Sequence, residues 1–362
     1  MLEFALVAFG AAAVVAAGLT PIARRVALMV DLVAEVRPDR VHTAPRPYGG
    51  GIAIADTLTL VVGGAWLIGL YGPAGWLPDW LPEGVRSHLV ARTPVLVRLA
   101  FGAIVFFIIG LVDDRYNLPA LPKLLMQAFG ATLVVVGFGL GATAWIEPAW
   151  LAQTVSILWI LAVVNAYNMV DHADGLAAAV GAVAFGALAA GQMMVGEWFV
   201  PGVALAVAGA LVGFLLHNLP PAKLFMGDAG SHLVGYLFAV LAMVARYYHP
   251  AAGTTRWVVL APVVILLVPL ADMVCVSLGR LRRGQSPMQG DATSHLGHRL
   301  LARGWTPRSA LIVVSALAVA GAVASVLLYE PGWASGAGLL AGSAVVAALV
   351  WLRRVPRGEV GP

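Results

Sequence analysis

The sequence predicts an all-α, polytopic integral membrane protein, and three observations carry that prediction. Hydrophobic residues make up 60% of the 362-residue chain and charged residues only 11%, where soluble domains carry about 25% charged residues. The mean hydropathy is +0.89. Apolar tracts recur from end to end, and no polar stretch lasts long enough to house a separate soluble domain. Residues 1–362 therefore read as a single integral membrane domain.

A helix needs about 20 residues to cross the hydrocarbon. In chain order, spans are expected near 4–28, 50–71, 96–112, 122–141, 150–167, 175–195, 199–217, 230–246, 257–279, 309–328 and 334–352, eleven in all. The first follows Glu3 and has arginines only at its far end. It reads as a retained span, because a cleaved signal would begin basic and end in small residues. The third is short, and glycines between Gly130 and Gly141 blur the end of the fourth. Residues 72–95 (GPAGWLPDWLPEGVRSHLVARTPV) hold prolines and two tryptophans, which suit an interfacial loop or a short surface helix.

An odd count places the termini on opposite sides. With the N-terminus outside, only Arg86, Arg92, Arg98, Arg246 and Arg256 of the 22 basic residues fall in outer connectors, and the other 17 fall inside. That bias predicts an N-out topology with a cytoplasmic C-terminus. The formal charge of +4 sits in short connectors rather than along one face of a domain, so it argues for membrane orientation and against a nucleic-acid partner. The single cysteine, Cys275, lies in an apolar tract, which excludes an intramolecular disulfide and disfavours a cysteine metal cluster.

Asp, Asn and His are costly in a membrane and are usually kept there for function. Here they gather in four places, all on the predicted inner face. The first is Asp113-Asp114-Arg115 at the end of the third span, where two adjacent carboxylates call for a cation or a proton. Lys123 and Gln127 follow, four apart on one helical face. The second is Asn165, Asn168, Asp171 and Asp174, a three-residue repeat that forms a polar stripe if the helix continues, with His172 inside it. Capping by Asp171 or Asp174 explains one of these but not four. The third is Gly227-Asp228-Ala229-Gly230, where a helix start with free N–H groups beside a carboxylate suits phosphate and Mg²⁺ together. The fourth is the basic loop with Asp291, His295, His298 and Arg299, which fits phosphate better than zinc. His42 is a weaker candidate of the same kind. For the intramembrane Asp272, helix packing and a pocket role both stay open.

Acidic residues for a divalent cation beside basic and amide groups for phosphates point to phosphoryl chemistry at one membrane face. No GxxxxGK[ST] loop and no dinucleotide glycine motif is present, so ATP hydrolysis is poorly supported. A transporter is the reading from a different class, but it would favour a mid-membrane site in repeated halves.

At these residues the chain resembles the polyprenyl-phosphate N-acetylhexosamine-1-phosphate transferases, the superfamily of the WecA, TagO and MraY enzymes. The resemblance runs through PRPYGGGIAI (45–54), LVDDRYNLPALPKLLMQ (111–127), NAYNMVDHADGLA (165–177), FMGDAGS (225–231) and SPMQGDATSHLGHRLLARG (286–304). It favours the WecA/TagO branch, which the count of eleven spans also suits. What the resemblance implies is transfer of a sugar 1-phosphate from a UDP-N-acetylhexosamine to a polyprenyl phosphate, releasing UMP, in a bacterial inner membrane with the active site cytoplasmic. N-acetylglucosamine is the expected sugar, and MraY-like phospho-MurNAc-pentapeptide transfer is the alternative. The resemblance also implies Mg²⁺ (or Mn²⁺ in its place), membrane lipids as surroundings, and the dimers common in the family.

Residue by residue, it makes Asp113 and Asp114 catalytic together with His295 and His298, and makes Asp228 and Asp171 metal ligands. His42, Lys123, Asn165, Asn168, Asp171, His172, Asp174, Asp291 and Arg299 fall on the substrate. Three departures stand out. The usual TDGxDG is VDHADG, so Val170 replaces threonine and His172 replaces glycine. The HxHH-like loop is His295-Leu296-Gly297-His298, without its middle histidine. The first loop has Arg40-Val41-His42 where Arg-Lys usually precedes the histidine.

Overall fold

The computed structural model describes residues 2–34, 46–73, 76, 85–141, 146–247, 254–287 and 294–354. The expected helices are there: α1 (Leu2–Met29), α2 (Gly50–Tyr71), α3 (Val85–Tyr116), α4 (Ala120–Gly137) and α5 (Ala149–Val170) form the first half. Then come α6 (Leu176–Met194), α7 (Phe199–Asn218), α8 (Gly227–Val244), the bent pair α9 (Arg256–Ile265) and α10 (Leu267–Arg282), short α11 (Leu296–Leu301), α12 (Pro307–Leu327) and α13 (Trp333–Arg354). Among the described residues, ten helices are long and apolar enough to cross a membrane, or eleven if the bent pair is one span. Large apolar side chains on outward faces, such as Val14, Phe129, Ile312 and Leu340, are more than half exposed. Water would penalise that surface, and lipid does not.

Three boundaries differ from expectation. The third span begins at Val85, so residues 85–95 are its first turns and not a surface connector. Their charges are satisfied by other parts of the chain: the Arg86 Nε donates to the Gly69 carbonyl at 3.1 Å, and Arg92 pairs with Glu197 at 3.2 Å. The ninth span, expected as one helix near 257–279, is broken by a 67° bend between α9 and α10. The eighth starts at Gly227 rather than 230, which puts Asp228 in its first turn.

The core sits around α8, which is buried along most of its length and packs against α3 and α5. On one side α1 lies along α7 at main-chain distance, since a Cβ on Gly209 or Gly213 would run into the Phe9 or Ala13 carbonyl. A short ladder joins β1 (Val33–Ala34) antiparallel to β2 (Arg46–Pro47). The chain after β2 is stitched to the start of α8 by main-chain bonds. The Phe225 N–H donates to the Pro47 carbonyl at 3.0 Å, Gly50 N–H to Phe225 at 3.0 Å, and Gly51 N–H to Met226 at 2.9 Å. A Cβ at Gly51 would collide with the Gly230 amide, so the glycine run lets α2 meet α8 backbone to backbone.

Candidate active site

Four helices bring one polar cluster together. The last turns of α3 supply Asp113 and Asp114, the first turn of α4 supplies Lys123, α5 supplies Asn168 and α8 supplies Asp228. Lys123 Nζ lies 2.5 Å from both Asp113 Oδ2 and Asp228 Oδ2, and donates to Asn168 Oδ1 at 3.2 Å. The Asn168 amide donates to Asp228 Oδ1 at 2.8 Å and to Ser231 Oγ at 3.1 Å. The Leu118 N–H holds the other oxygen of Asp113 at 2.8 Å. Gly110 makes the approach feasible, because a Cβ there would strike the Asp228 carbonyl.

Asp114 has a different task. Its carboxylate accepts from the Asp228 N–H at 2.7 Å and from the Ala229 N–H at 3.0 Å. Two N–H groups expected to stand free for phosphate at the start of α8 are therefore already capped by a neighbouring helix. Gly227 is required at this junction: its φ is +74°, and a Cβ would lie 2.6 Å from Asp114 Oδ2.

Behind the cluster runs a second line of hydrogen bonds. Asn165 donates to Gln127 Oε1 at 2.8 Å, and the Gln127 amide donates to His232 Nε2 at 2.7 Å. His232 Nδ1–H then donates to the Asp228 carbonyl at 2.6 Å. His232 was not a candidate from sequence. Its position one helical turn after Asp228 was the available signal.

The predicted polar stripe is interrupted. The helix α5 ends at Val170, and Asp171 (φ −75°, ψ 37°) leaves it, so only Asn165 and Asn168 share the helical face. Asp174 accepts the Ala222 N–H at 2.9 Å and pairs with Arg46 at 3.5 Å, tying this turn to the α7–α8 connection. His172 turns toward the last polar loop. Its ring stacks on His295 (4.7 Å, 23°) and is tilted toward His298 (5.2 Å, 37°). Its Nδ1–H donates to the Met169 carbonyl at 2.8 Å, and His298 Nε2–H donates to the His172 carbonyl at 3.1 Å. Burial, then the neighbouring His295, pushes the His172 pKa down to about 3, so the ring stays neutral.

His295 in turn donates from Nδ1 to Asp272 Oδ2 at 2.7 Å, and Asp272 Oδ1 accepts from the Leu296 N–H at 2.9 Å and from Arg353. Asp272, left open between packing and pocket, thus anchors the histidine loop. Arg353, at the end of α13, was missed because a basic residue flanking a last span reads as an orientation signal. Arg299 donates to the Arg353 carbonyl at 2.5 Å and so braces the same corner. Ligand atoms of His172, Asp272 and His295 lie within 4.8 Å of one another, a group able to hold a metal ion. Asp228 and Asp171, the expected metal ligands, are not part of it. His42 and Asp291 lie outside the described residues.

Two donor sets follow. The first is built of carboxylate and amide oxygens, with three carboxylates against one ammonium, and its chemistry fits a hard divalent ion such as Mg²⁺. The second is rich in imidazole, which suits softer metals or uncharged polar groups.

The model of Glycosyl transferase family 4 matches residues 96–246. The chain is similar to the decaprenyl-phosphate N-acetylglucosaminephosphotransferase of Mycolicibacterium smegmatis, 33% identical over 94% of this chain and 86% of the relative. The same-named protein of Mycobacterium tuberculosis (strain H37Rv) is 32% identical over 97% of this chain and 88% of its own length. An undecaprenyl-phosphate alpha-N-acetylglucosaminyl 1-phosphate transferase of Yersinia pestis is 29% identical over 86% of this chain and 82% of the relative.

Proposed function

The chain belongs to glycosyl transferase family 4, the polyprenyl-phosphate N-acetylhexosamine-1-phosphate transferases, and on that premise we propose its reaction and the roles of its residues. It moves N-acetylglucosamine 1-phosphate from UDP-N-acetylglucosamine to undecaprenyl or decaprenyl phosphate, releasing UMP and starting a cell-envelope glycan. The observation that carries this reading is the Asp113–Lys123–Asp228 cluster, a part-buried pair of acids with one ammonium between them. The bias of basic residues supports an N-out orientation, which puts the cluster at the cytoplasmic face, where nucleotide sugars are available.

Asp228, with Asp113 beside it, would hold Mg²⁺ (or Mn²⁺), and Asp171 is the further ligand that the family resemblance implies. When bound, the ion neutralises the diphosphate and stabilises the departing UMP. Asp113 orients the acceptor phosphate and takes its proton where one is present. Lys123, now shared between two carboxylates, exchanges part of that contact for phosphate oxygens of the donor. Asn168 fixes the Asp228 carboxylate through its amide hydrogen bond, and Asn165 supports it through Gln127 and His232. Asp114 keeps α3 and α8 in register, which places Asp113 against Asp228. His295 and His298 face the sugar-phosphate end of the donor, braced by Asp272 and Arg299. Direct in-line attack of the acceptor oxygen on the β-phosphorus needs only this positioning and charge.

The test is UMP release by the purified protein with Mg²⁺ and polyprenyl phosphate, across UDP-sugars that include UDP-MurNAc-pentapeptide. Release with UDP-N-acetylglucosamine is expected, falling by about 10³-fold in Asp228→Ala with the fold retained. No release with any UDP-sugar from folded protein overturns the reading, and release with the pentapeptide donor alone moves it to the MraY-like reaction.

A further inference from the structure

Gly297 lies in α11 and has no positive φ, so its backbone does not require glycine. A helix is less stable with glycine than with alanine. The reason for the glycine is spatial. A Cβ at 297 would sit 2.6 Å from His172 Nε2 and 3.3 Å from its Cδ2. The two departures noted in the sequence, histidine for glycine at 172 and glycine for histidine at 297, therefore meet at one contact. One makes room for the other.

The hydrogen bonds fix which nitrogen of His172 is free. A carbonyl only accepts, so the 2.8 Å contact with Met169 puts a ring proton on Nδ1, and the neutral ring then keeps its lone pair on Nε2. That Nε2 is buried and has no hydrogen-bond partner among the described residues. An unsatisfied buried acceptor is destabilising and asks for a donor. Phosphate oxygens are acceptors and do not answer it. A hydroxyl or an amide N–H does.

Resting on the transferase reading above, we infer that His172 and Gly297 are an exchanged pair. From the turn after α5, His172 carries to the side of His295 and His298 the imidazole that α11 lacks, and its Nε2 accepts a hydrogen bond from a hydroxyl or amide N–H of the donor sugar. It is a positioning and specificity residue. His295 and His298 flank it, each held through one ring nitrogen by Asp272 and by the His172 carbonyl.

The experiment compares the full-length enzyme with His172→Gly, Gly297→His and the double variant. The readouts are KM and kcat for UDP-N-acetylglucosamine, inhibition by UMP, and thermal midpoint. His172→Gly should raise KM roughly tenfold, the share of one hydrogen bond, while kcat and UMP inhibition change little. Gly297→His alone should lose more, because two imidazoles compete for one space, and its midpoint should drop. The double variant should recover both KM and midpoint to near wild type. Losses in the double variant that equal the product of the single losses overturn the exchange. Equal weakening of UMP in His172→Gly overturns the assignment to the sugar. A transition metal that copurifies with wild type and is lost in His172→Gly overturns the acceptor role. If wild type releases no UMP at all, the transferase reading fails by itself, and the exchange is still decided by the thermal midpoints.

Discussion

At one end of α3, Arg92 reaches Glu197 at 3.2 Å, and Arg246 reaches the same carboxylate at 3.4 Å. Gln192 closes the group, donating to the Arg246 carbonyl at 2.9 Å and to the Tyr329 hydroxyl at 3.0 Å, and accepting the Arg246 N–H at 2.8 Å. At the other end of the helix, about 30 Å away by helical rise, two carboxylates share one lysine, and a third, Asp114, caps α8 beside them. Both clusters hold partly buried charge among apolar helices. In the first, every acidic oxygen has a guanidinium, and the network binds α3 to the α6–α7 turn. In the second, negative charge is in surplus, and a surplus withdrawn from water calls for a cation or a proton to join it. A closed network suits a fastening, and an open one suits the proposed site.

The largest effect that sharpens this contrast is expected for Lys123→Met. It removes the ammonium from the unbalanced cluster, so UMP release should fall about 100-fold. The thermal midpoint should also drop without divalent ions and recover on adding Mg²⁺, because a ligand that binds only the folded state stabilises it. A midpoint indifferent to Mg²⁺ would break the claim that the surplus charge is a cation site. Next comes Glu197→Gln, which strips the balanced cluster of its only acid. A loss on the order of 5 °C in midpoint is expected, with UMP release preserved. Should activity fall tenfold as well, the two ends of α3 are coupled and the division into fastening and site fails. The smallest effect belongs to Arg246→Ala. That side chain is 52% exposed and Arg92 remains on Glu197, so the midpoint should move by only about 1 °C. A larger shift would mean that both guanidiniums are needed.

The apolar spans were legible in the sequence because hydrophobic length is a local property, and the four polar clusters because each residue's burial cost is its own. What stayed illegible depends on partners far along the chain. Arg86 and Arg92 were assigned to an outer connector, since the Gly69 carbonyl of α2 and Glu197 of the α6–α7 turn that absorb their charge lie far along the chain. Lys123 meets Asp228 across 105 residues, and Arg353 meets Asp272 across 81, distances that no motif spacing encodes. The three-residue repeat from Asn165 to Asp174 looked continuous, yet the backbone turns at Asp171, and the two halves of the motif serve different neighbours. The start of α8 was correctly expected to be a helix start beside a carboxylate. Its amides were not expected to be occupied, because the capping group, Asp114, belongs to α3. The glycine run at 49–51 was recognised as a motif, but its purpose, main-chain contact with α8, appears only in three dimensions.

The cap supplied by Asp114 has a mechanical consequence. The 32 residues of α3 extend about 48 Å, well beyond a hydrocarbon layer about 30 Å thick. A helix so long answers a change in bilayer thickness by tilting. Because its final turn is fastened to the first turn of α8 through Asp114 and the close approach at Gly110, tilt carries Asp113 and Asp228 together. Their separation is then set by the junction and not by the surrounding acyl chains. The geometry of the acidic cluster is thereby insulated from lipid tail length.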